Sequence, residues 1–454
     1  MPTQSDRNMS EQKNSIIVAV TLALVSAFIL GGVSFALFPS WSYSPTLFEK
    51  TSLLTALEST SSVRSLPSSK VASISVFTPL DAVCIESDGS LNSTNVPITR
   101  AGDTYTFSGD VVNQTIVVQL DNIVIDGAAH KLQGFKVGES YANAGMVLEG
   151  RSNVTIKNLV LSQFSTPIWV HNSSWITITD NTFADNSMGD RASSVTYSKI
   201  VSNNFNETLI ESISLSRSSE GEASSTANNV ISGNNITDGA FGINVYSCSW
   251  NIITWNNLVN VYSPITAGEN TTVANNNMIN GIDGITLSSH CSVYQNTILN
   301  FSQSGISIQG IDSTIFENIV ANCSHSLLLD SYSDYPLGNN TVYHNNFVNN
   351  TENLLLYGNA SQSVNFWDNG KEGNYWSGYS GADANGDGVG DTPFAIGPGN
   401  VDRYPLMQPY VSQTANDQSL QAVLFGAGGI AAAIGISALT FSIITQKTRP
   451  KKGI

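Results

Sequence analysis

Charge is scarce in this chain, and positive charge scarcest. Only 12% of the 454 residues are charged, 19 Lys and Arg stand against 35 Asp and Glu, and the formal net charge is −16. Nucleic-acid binding needs Lys and Arg to neutralise phosphates, so the composition argues against that partner. Cysteine is nearly absent. Cys84, Cys248, Cys291 and Cys323 lack the Cys-x-x-Cys spacing of metal sites; one disulfide is compatible with them, but no pairing is singled out. Histidine is as rare: His130, His171, His290, His325 and His344 are the complete set.

Apolar runs are also few, but two are long. Ile16 to Phe38 is an uncharged run of 23 residues and Ala422 to Thr445 one of 24. About 20 apolar residues cross a bilayer core, so each predicts a transmembrane helix with the lipid bilayer as a partner. Lys13 precedes the first run, and Lys447, Arg449, Lys451 and Lys452 follow the second. The positive-inside rule then places both termini in the cytoplasm and residues 39–421 outside the cell membrane. Ser34-Phe35-Ala36 offers a cleavage site, but the first run exceeds the ~7–15-residue core of a signal peptide, which favours an uncleaved anchor. Twelve Asn-x-Ser/Thr sequons, at Asn92, Asn113, Asn153, Asn172, Asn206, Asn235, Asn270, Asn300, Asn322, Asn339, Asn349 and Asn359, fit an exported surface, although an Asn/Ser/Thr-rich chain also produces sequons by chance.

The middle of the chain repeats. Asn158, Asn181, Asn203, Asn234, Asn256, Asn276, Asn296, Asn318 and Asn345 recur at separations of about 22 residues, each followed two residues later by an apolar residue, from Val160 to Phe347. Most have another three residues before, as at Ile178, Ile253 and Ile315. Seven or eight residues further on comes an apolar-x-apolar pair such as Ile243/Val245, Ile285/Leu287 or Ile306/Ile308, the period-2 mark of a strand with one buried face. One unit cannot bury its own apolar face, whereas stacked units make one core; the expectation is an all-β parallel β-helix of ~22-residue rungs. Asparagine tolerates the left-handed bend between strands, and stacked amides can bond from rung to rung, so the anchors are read as structural.

The repeats over about residues 120–360 resemble the right-handed parallel β-helix superfamily, in particular its NosD-like and CASH (carbohydrate-binding and sugar-hydrolase) groups. Upstream, Pro97 to Phe107 and Asp121 to Gly127 resemble the first strands of NosD-like surface proteins. Downstream, Phe366-Trp367-Asp368, Gly373-Asn374-Tyr375-Trp376-Ser377 and Asp402-Arg403-Tyr404-Pro405-Leu406 resemble their terminal block. The resemblance implies glycan binding, and for the NosD name a role in copper supply. Copper prefers His, Met and Cys. Only His290-Cys291 and Cys323-Ser324-His325 lie on successive repeats, at different offsets, so copper is not expected.

The resulting organisation is a cytoplasmic tail (1–15), first anchor (16–38), Ser/Thr-rich stalk (39–70), N-terminal cap (71–120), β-helix (121–360), C-terminal cap (361–408), linker (409–421), second anchor (422–445) and basic cytoplasmic tail (446–454). One rung is irregular: Asp190-Arg191 stands where an apolar pair is due. Long spacings at 216–228 and 332–336 mark loop insertions, the second with Tyr332, Asp334 and Tyr335 as candidate ligand contacts.

The sharpest motif is Asp383-Ala384-Asn385-Gly386-Asp387-Gly388-Val389-Gly390-Asp391, which fits the first nine positions of a calcium loop. Asp383, Asn385 and Asp387 would offer side-chain oxygens, Val389 a carbonyl and Asp391 the ninth position. Phe394 replaces the final Glu, and Asp402 is a candidate substitute. Structural Ca²⁺ is therefore expected. Asp180, Asp185, Asp238, Asp283, Asp312 and Asp330 look scattered over non-equivalent repeat positions, so no catalytic acid–base pair is assigned. Trp255 occupies a position expected to face solvent and is a candidate ligand contact. The leading expectation is a non-catalytic surface scaffold for glycans or surface proteins; a polysaccharide lyase or hydrolase, and a NosD-like copper accessory protein, are the alternatives.

Overall fold

A computed structural model describes residues 82–137, 140–217, 226–331 and 337–412, all within one compact unit. Both apolar runs, the stalk, and Tyr332, Asp334 and Tyr335 lie outside the described residues. Among the described residues no helix is long and apolar enough to cross a membrane.

Each rung bends twice between three short strands and once more before the next rung begins, giving three faces. The first face is a 12-stranded sheet of mostly three-residue strands such as Thr177–Thr179, Ile252–Thr254 and Thr314–Phe316. The second and third faces belong to one 23-stranded sheet, because Asn235–Asn244 and Asn257–Ala267 run through the corner between them. Neighbouring rungs pair in parallel and in strict register, as in Ile231↔Ile253↔Val273↔Val293. Register is fixed because a one-residue slip would turn every buried side chain outward.

Three inward columns fill the core. Ile156, Ile178, Ile200, Ile231, Ile253 and Val273 stack beneath the first face, while Leu161, Phe183, Phe205, Ile236, Leu258 and Met278 do so beneath the second. Phe183 and Phe205 lie ring on ring at 4.3 Å. The third column has one foreign member. Asp190 fills the inward slot between Ile168 and Ile213, only 1% exposed, and among the described residues neither of its carboxyl oxygens has a hydrogen-bond partner. Burial pushes its carboxyl up to about 8. Next to it Ala192 replaces a larger residue and leaves a cavity of ≈ 10 Å³, at the lower limit for one water.

The asparagines form a buried ladder. Asn276, for example, donates its backbone N–H to Asn296 Oδ1 at 2.9 Å and its side-chain amide to the same oxygen at 3.0 Å and to Ile253 O at 2.9 Å. The same pattern runs from Asn181 through Asn345 to Asn374. Two details differ from the sequence reading. Left-handed backbone falls on the residue before each ladder position (Asp180, Ser202, Trp255, Gln295, Glu317, His344) and not on the ladder asparagine itself. Asn158 belongs to that preceding column. Leu159 holds the ladder slot of its rung, donating its N–H to Asn181 Oδ1, and Leu161 rather than Val160 points inward. The ladder asparagine is thus selected by its paired donors and acceptor, not by backbone tolerance.

Both ends are closed. Ile98–Ala101 and Thr104–Phe107 form an antiparallel hairpin whose second strand starts the first face, with Tyr105 buried and its hydroxyl donating to Gly89 O at 2.7 Å. At the other end Trp376 stacks on Phe347 at 4.3 Å and Trp367 is buried, its indole N–H on Asn400. Asp402 terminates the ladder: one carboxyl oxygen accepts from Asn374 N and Trp376 Nε1, both at 2.8 Å. Arg403 forks onto buried Asp368 at 2.6 and 2.9 Å. Asp402 is therefore committed to the cap and does not substitute for the missing calcium ligand.

Candidate functional site

The corner between the second and third faces carries one continuous polar spine. Gln163, Asp185, Glu207, Asp238, Asn260, Asn280, Asn300, Asn322 and Asn349 occupy equivalent positions on successive rungs, all with left-handed backbone. That conformation turns each side chain out of the strand plane, and asparagine and aspartate adopt it at low cost. Along the C-terminal half the amides bond in series: Asn260 to Asp238 at 2.9 Å, Asn280 to Asn260 at 3.0 Å, Asn300 to Asn280 at 3.1 Å and Asn322 to Asn300 at 3.3 Å. Beside them opens a groove of ≈ 360 Å³ whose lining includes Asn300, Ser302, Asn322, Ser324, Asn349 and Thr351. It presents an amide and a hydroxyl on each of three successive rungs, about 4.8 Å apart. Asn300, Asn322 and Asn349 are also sequon asparagines.

The N-terminal half of the spine is acidic. Asp185, Glu207 and Asp238 follow one another on consecutive rungs, so their backbones fall within about 10 Å. This corrects the view of the aspartates as scattered: Asp185 and Asp238 are equivalent, and Glu207, which sequence reasoning passed over, stands between them. The signal was present: each stands three residues downstream of Thr182, Asn204 and Asn235, which pair with one another across the rungs. Asp180 and Asp312 sit at the other two corners, and Asp330 is buried with Gln309 donating to it at 3.0 Å.

The calcium-type loop folds round its first aspartate. Asp383 Oδ1 accepts from Gly386 N at 2.7 Å, and its Oδ2 accepts from Gly388 N at 2.9 Å. Asp387 Oδ1 accepts from Val389 N at 2.9 Å, Asn385 Nδ2 donates to Asp387 Oδ2 at 3.0 Å, and Ala384 N donates to Asp391 Oδ2 at 2.7 Å. Gly386 and Gly388 take positive φ of 76° and 88°, which the tight turn requires. Three carboxylates and one amide thus share nine residues, held by backbone donors that leave each carboxylate further lone pairs. Among the described residues no group of three or more His, Cys, Asp or Glu is placed to hold a metal ion.

A third surface is apolar. Trp255, 66% exposed, stands at the corner between the first and second faces. On the same rung Ile252 and Trp250 are also exposed, and Trp175 stacks on Tyr197 at 5.0 Å along the far corner of the first face.

The residues do not fit a copper centre. Cys248, Cys291 and Cys323 face the core, burial pushing each thiol up to about 11. Cys291 and Cys323 lie at different corners, while His290 and His325 pair with Asp312 and Glu352 at 3.4 Å each.

Comparison with known proteins agrees with this architecture. The family described as periplasmic copper-binding protein (NosD) matches residues 206–381, and that described as right handed beta helix region matches residues 121–278. No curated protein matches the chain. Among solved structures it is similar to the catalytic domain of a GH87 alpha-1,3-glucanase in complex with tetrasaccharides (13% identity, TM-score 0.45, 60% of this chain and 63% of that one). It is also similar to the periplasmic alginate epimerase AlgG (11%, 0.47, 63% and 82%) and to a hyperthermoactive exopolygalacturonase from Thermotoga maritima (11%, 0.33, 60% and 76%). The chain thus spans 63% of the length of the glucanase domain it matches. With its parallel rungs, amide ladder and family matches together, the chain is a right-handed parallel β-helix protein that is similar over residues 206–381 to the NosD family.

Proposed function

We propose that the chain is a membrane-anchored, extracytoplasmic scaffold that binds glycan chains along the polar corner. The observation that carries this reading is the groove at Asn300–Thr351, where an amide and a hydroxyl repeat with the rung spacing. A row of alternating donors and acceptors suits a polymer of repeating polar units, because each amide both donates and accepts. Export is supported by the two apolar runs and by the periplasmic description of the matched family. Ca²⁺, in this reading, rigidifies the loop Asp383–Asp391 through the oxygens of Asp383, Asn385, Asp387, Val389 and Asp391, a structural role. The test is a glycan array probed with the full chain in detergent, produced without N-glycans so that Asn300, Asn322 and Asn349 are unmodified. Binding to at least one polysaccharide that falls at least tenfold in Asn322→Ala supports the reading; no binding to any glycan overturns it.

A second reading has its own observation. Asp185, Glu207 and Asp238 on consecutive rungs offer the spacing at which paired carboxylates act on glycosidic bonds. Release of reducing ends or unsaturated products from a bound polysaccharide, abolished by Glu207→Gln, would make the protein a hydrolase or lyase instead of a scaffold.

A further inference from the structure

The aromatic surface lies across the rung from the polar corner and is not used by it. Trp175, Tyr197, Trp250, Ile252 and Trp255 are exposed by 58, 50, 60, 44 and 66% and are gathered on the first face and its two bordering corners. They span only four successive rungs. Trp367 and Trp376, by contrast, are buried in the cap. Tryptophan and tyrosine combine a large apolar body with a polar tip and favour a boundary where one side is wet and the other oily.

The path of the chain beyond the cap tells which boundary this is. After Leu406 the chain does not continue past the end of the solenoid. It turns back along the corner between the first and second faces. Tyr410 stacks on His344 at 4.0 Å and exchanges two hydrogen bonds with the Asn346 side chain, at 2.7 and 2.9 Å. Its hydroxyl reaches Glu317, and Ser412 reaches Gln295, each at 3.4 Å. His344, Glu317 and Gln295 are successive members of the column that contains Trp255, so the strap climbs toward that tryptophan. From Gln295 to Trp255 is two rungs, about 10 Å. Nine residues separate Ser412 from the apolar run that opens at Ala422; nine residues reach at most about 30 Å when fully extended. That reach takes in the level of Trp255 beside the first face.

We infer that the solenoid lies on its side, with the first face against the membrane that holds residues 422–445 and with Trp175, Trp250 and Trp255 in the lipid interfacial layer. This rests on the membrane-anchor part of the proposed function. It leaves the polar corner on the opposite side, turned away from the bilayer.

The test uses the full chain reconstituted into phosphatidylcholine vesicles with and without brominated acyl chains, reading tryptophan emission. Alkaline extraction comes first: release of the chain from the vesicles overturns the anchor reading and the inference with it. For a chain that stays bound, brominated lipid is expected to quench the wild type more than the triple variant Trp175→Phe, Trp250→Phe, Trp255→Phe, whose residual quenching comes from Trp41 beside the first run. The phenylalanine variant keeps the apolar surface, and an unchanged far-ultraviolet spectrum confirms its fold. Equal quenching of wild type and variant overturns the inference and leaves the anchor intact. So does protection of these tryptophans from acrylamide by soluble oligosaccharide without lipid quenching, which would assign the face to glycan.

Discussion

Asp190 makes a prediction that follows from one misplaced carboxyl. It stands in a column of isoleucines, fully enclosed, with a folded-state value near 8 against an ordinary 3.8. Below about pH 4 folded and unfolded chains both hold the proton and the protein has its full stability. Between about 4 and 8 the unfolded chain releases the proton while the folded one keeps it, so stability falls as pH rises; above 8 there is no further change. The difference between the two values corresponds to about 6 kcal/mol over the whole window and about 4 kcal/mol at pH 7. The protonated group adds about 1–3 kcal/mol at every pH, because its polar atoms are unpaired. Asp190→Asn should remove the first contribution and Asp190→Leu both, since leucine replaces the two oxygens with methyl groups of similar shape. Urea unfolding followed by circular dichroism at pH 4, 6 and 8 measures this. The expected result is a variant–wild-type difference for Asp190→Asn that is near zero at pH 4 and grows to several kcal/mol at pH 8. A difference independent of pH, or a leucine variant less stable than wild type at pH 8, would refute the reasoning.

Three further outcomes follow. Asn296→Leu should destabilise by about 3–5 kcal/mol in the same assay, because it strands the Asn276 N–H and the Val273 carbonyl, each costing about 1–3 kcal/mol when buried and unpaired. Asp402→Ala removes the acceptor of Asn374 N and Trp376 Nε1 and should cost a similar amount, with loss of near-ultraviolet signal from the capping tryptophans before the far-ultraviolet signal changes. Millimolar Ca²⁺ should raise the melting temperature of the wild type by several degrees and leave Asp387→Ala unmoved; no shift in the wild type removes the proposed ion.

Much of the fold was legible because each rung repeats the same burial decision. Ile178, Ile231 and Ile253 could be placed beneath one face from spacing alone, since parallel stacking turns a sequence period into a spatial column. The ladder register failed at Asn158 because asparagine suits both the left-handed bend and the ladder, and one letter cannot distinguish a residue chosen for its backbone from one chosen for its side chain. The polar corner was missed for a related reason. Its members change from acid to amide along the solenoid, so the column is chemically uneven although geometrically constant, and only register reveals it. Asp402 was assigned to the nearby metal loop on proximity in sequence, whereas the ladder that claims it runs through Asn374 and Asn345, distant in sequence and adjacent in space. The positions of Tyr332, Asp334 and Tyr335 lie outside the described residues.

The amide ladder also has a grammar. Every asparagine in it gives a hydrogen bond to the next rung and receives one from the last, so each link invites another. At the start, Leu159 gives a backbone hydrogen bond to Asn181 but has no side-chain amide to receive one, so nothing precedes it. At the end, Asp402 is a carboxylate, which receives and gives nothing onward. Asparagine and aspartate differ by one atom, and that atom separates a link from a full stop. A solenoid built of interchangeable turns must carry instructions for where to cease, and here the instruction is written in a single oxygen.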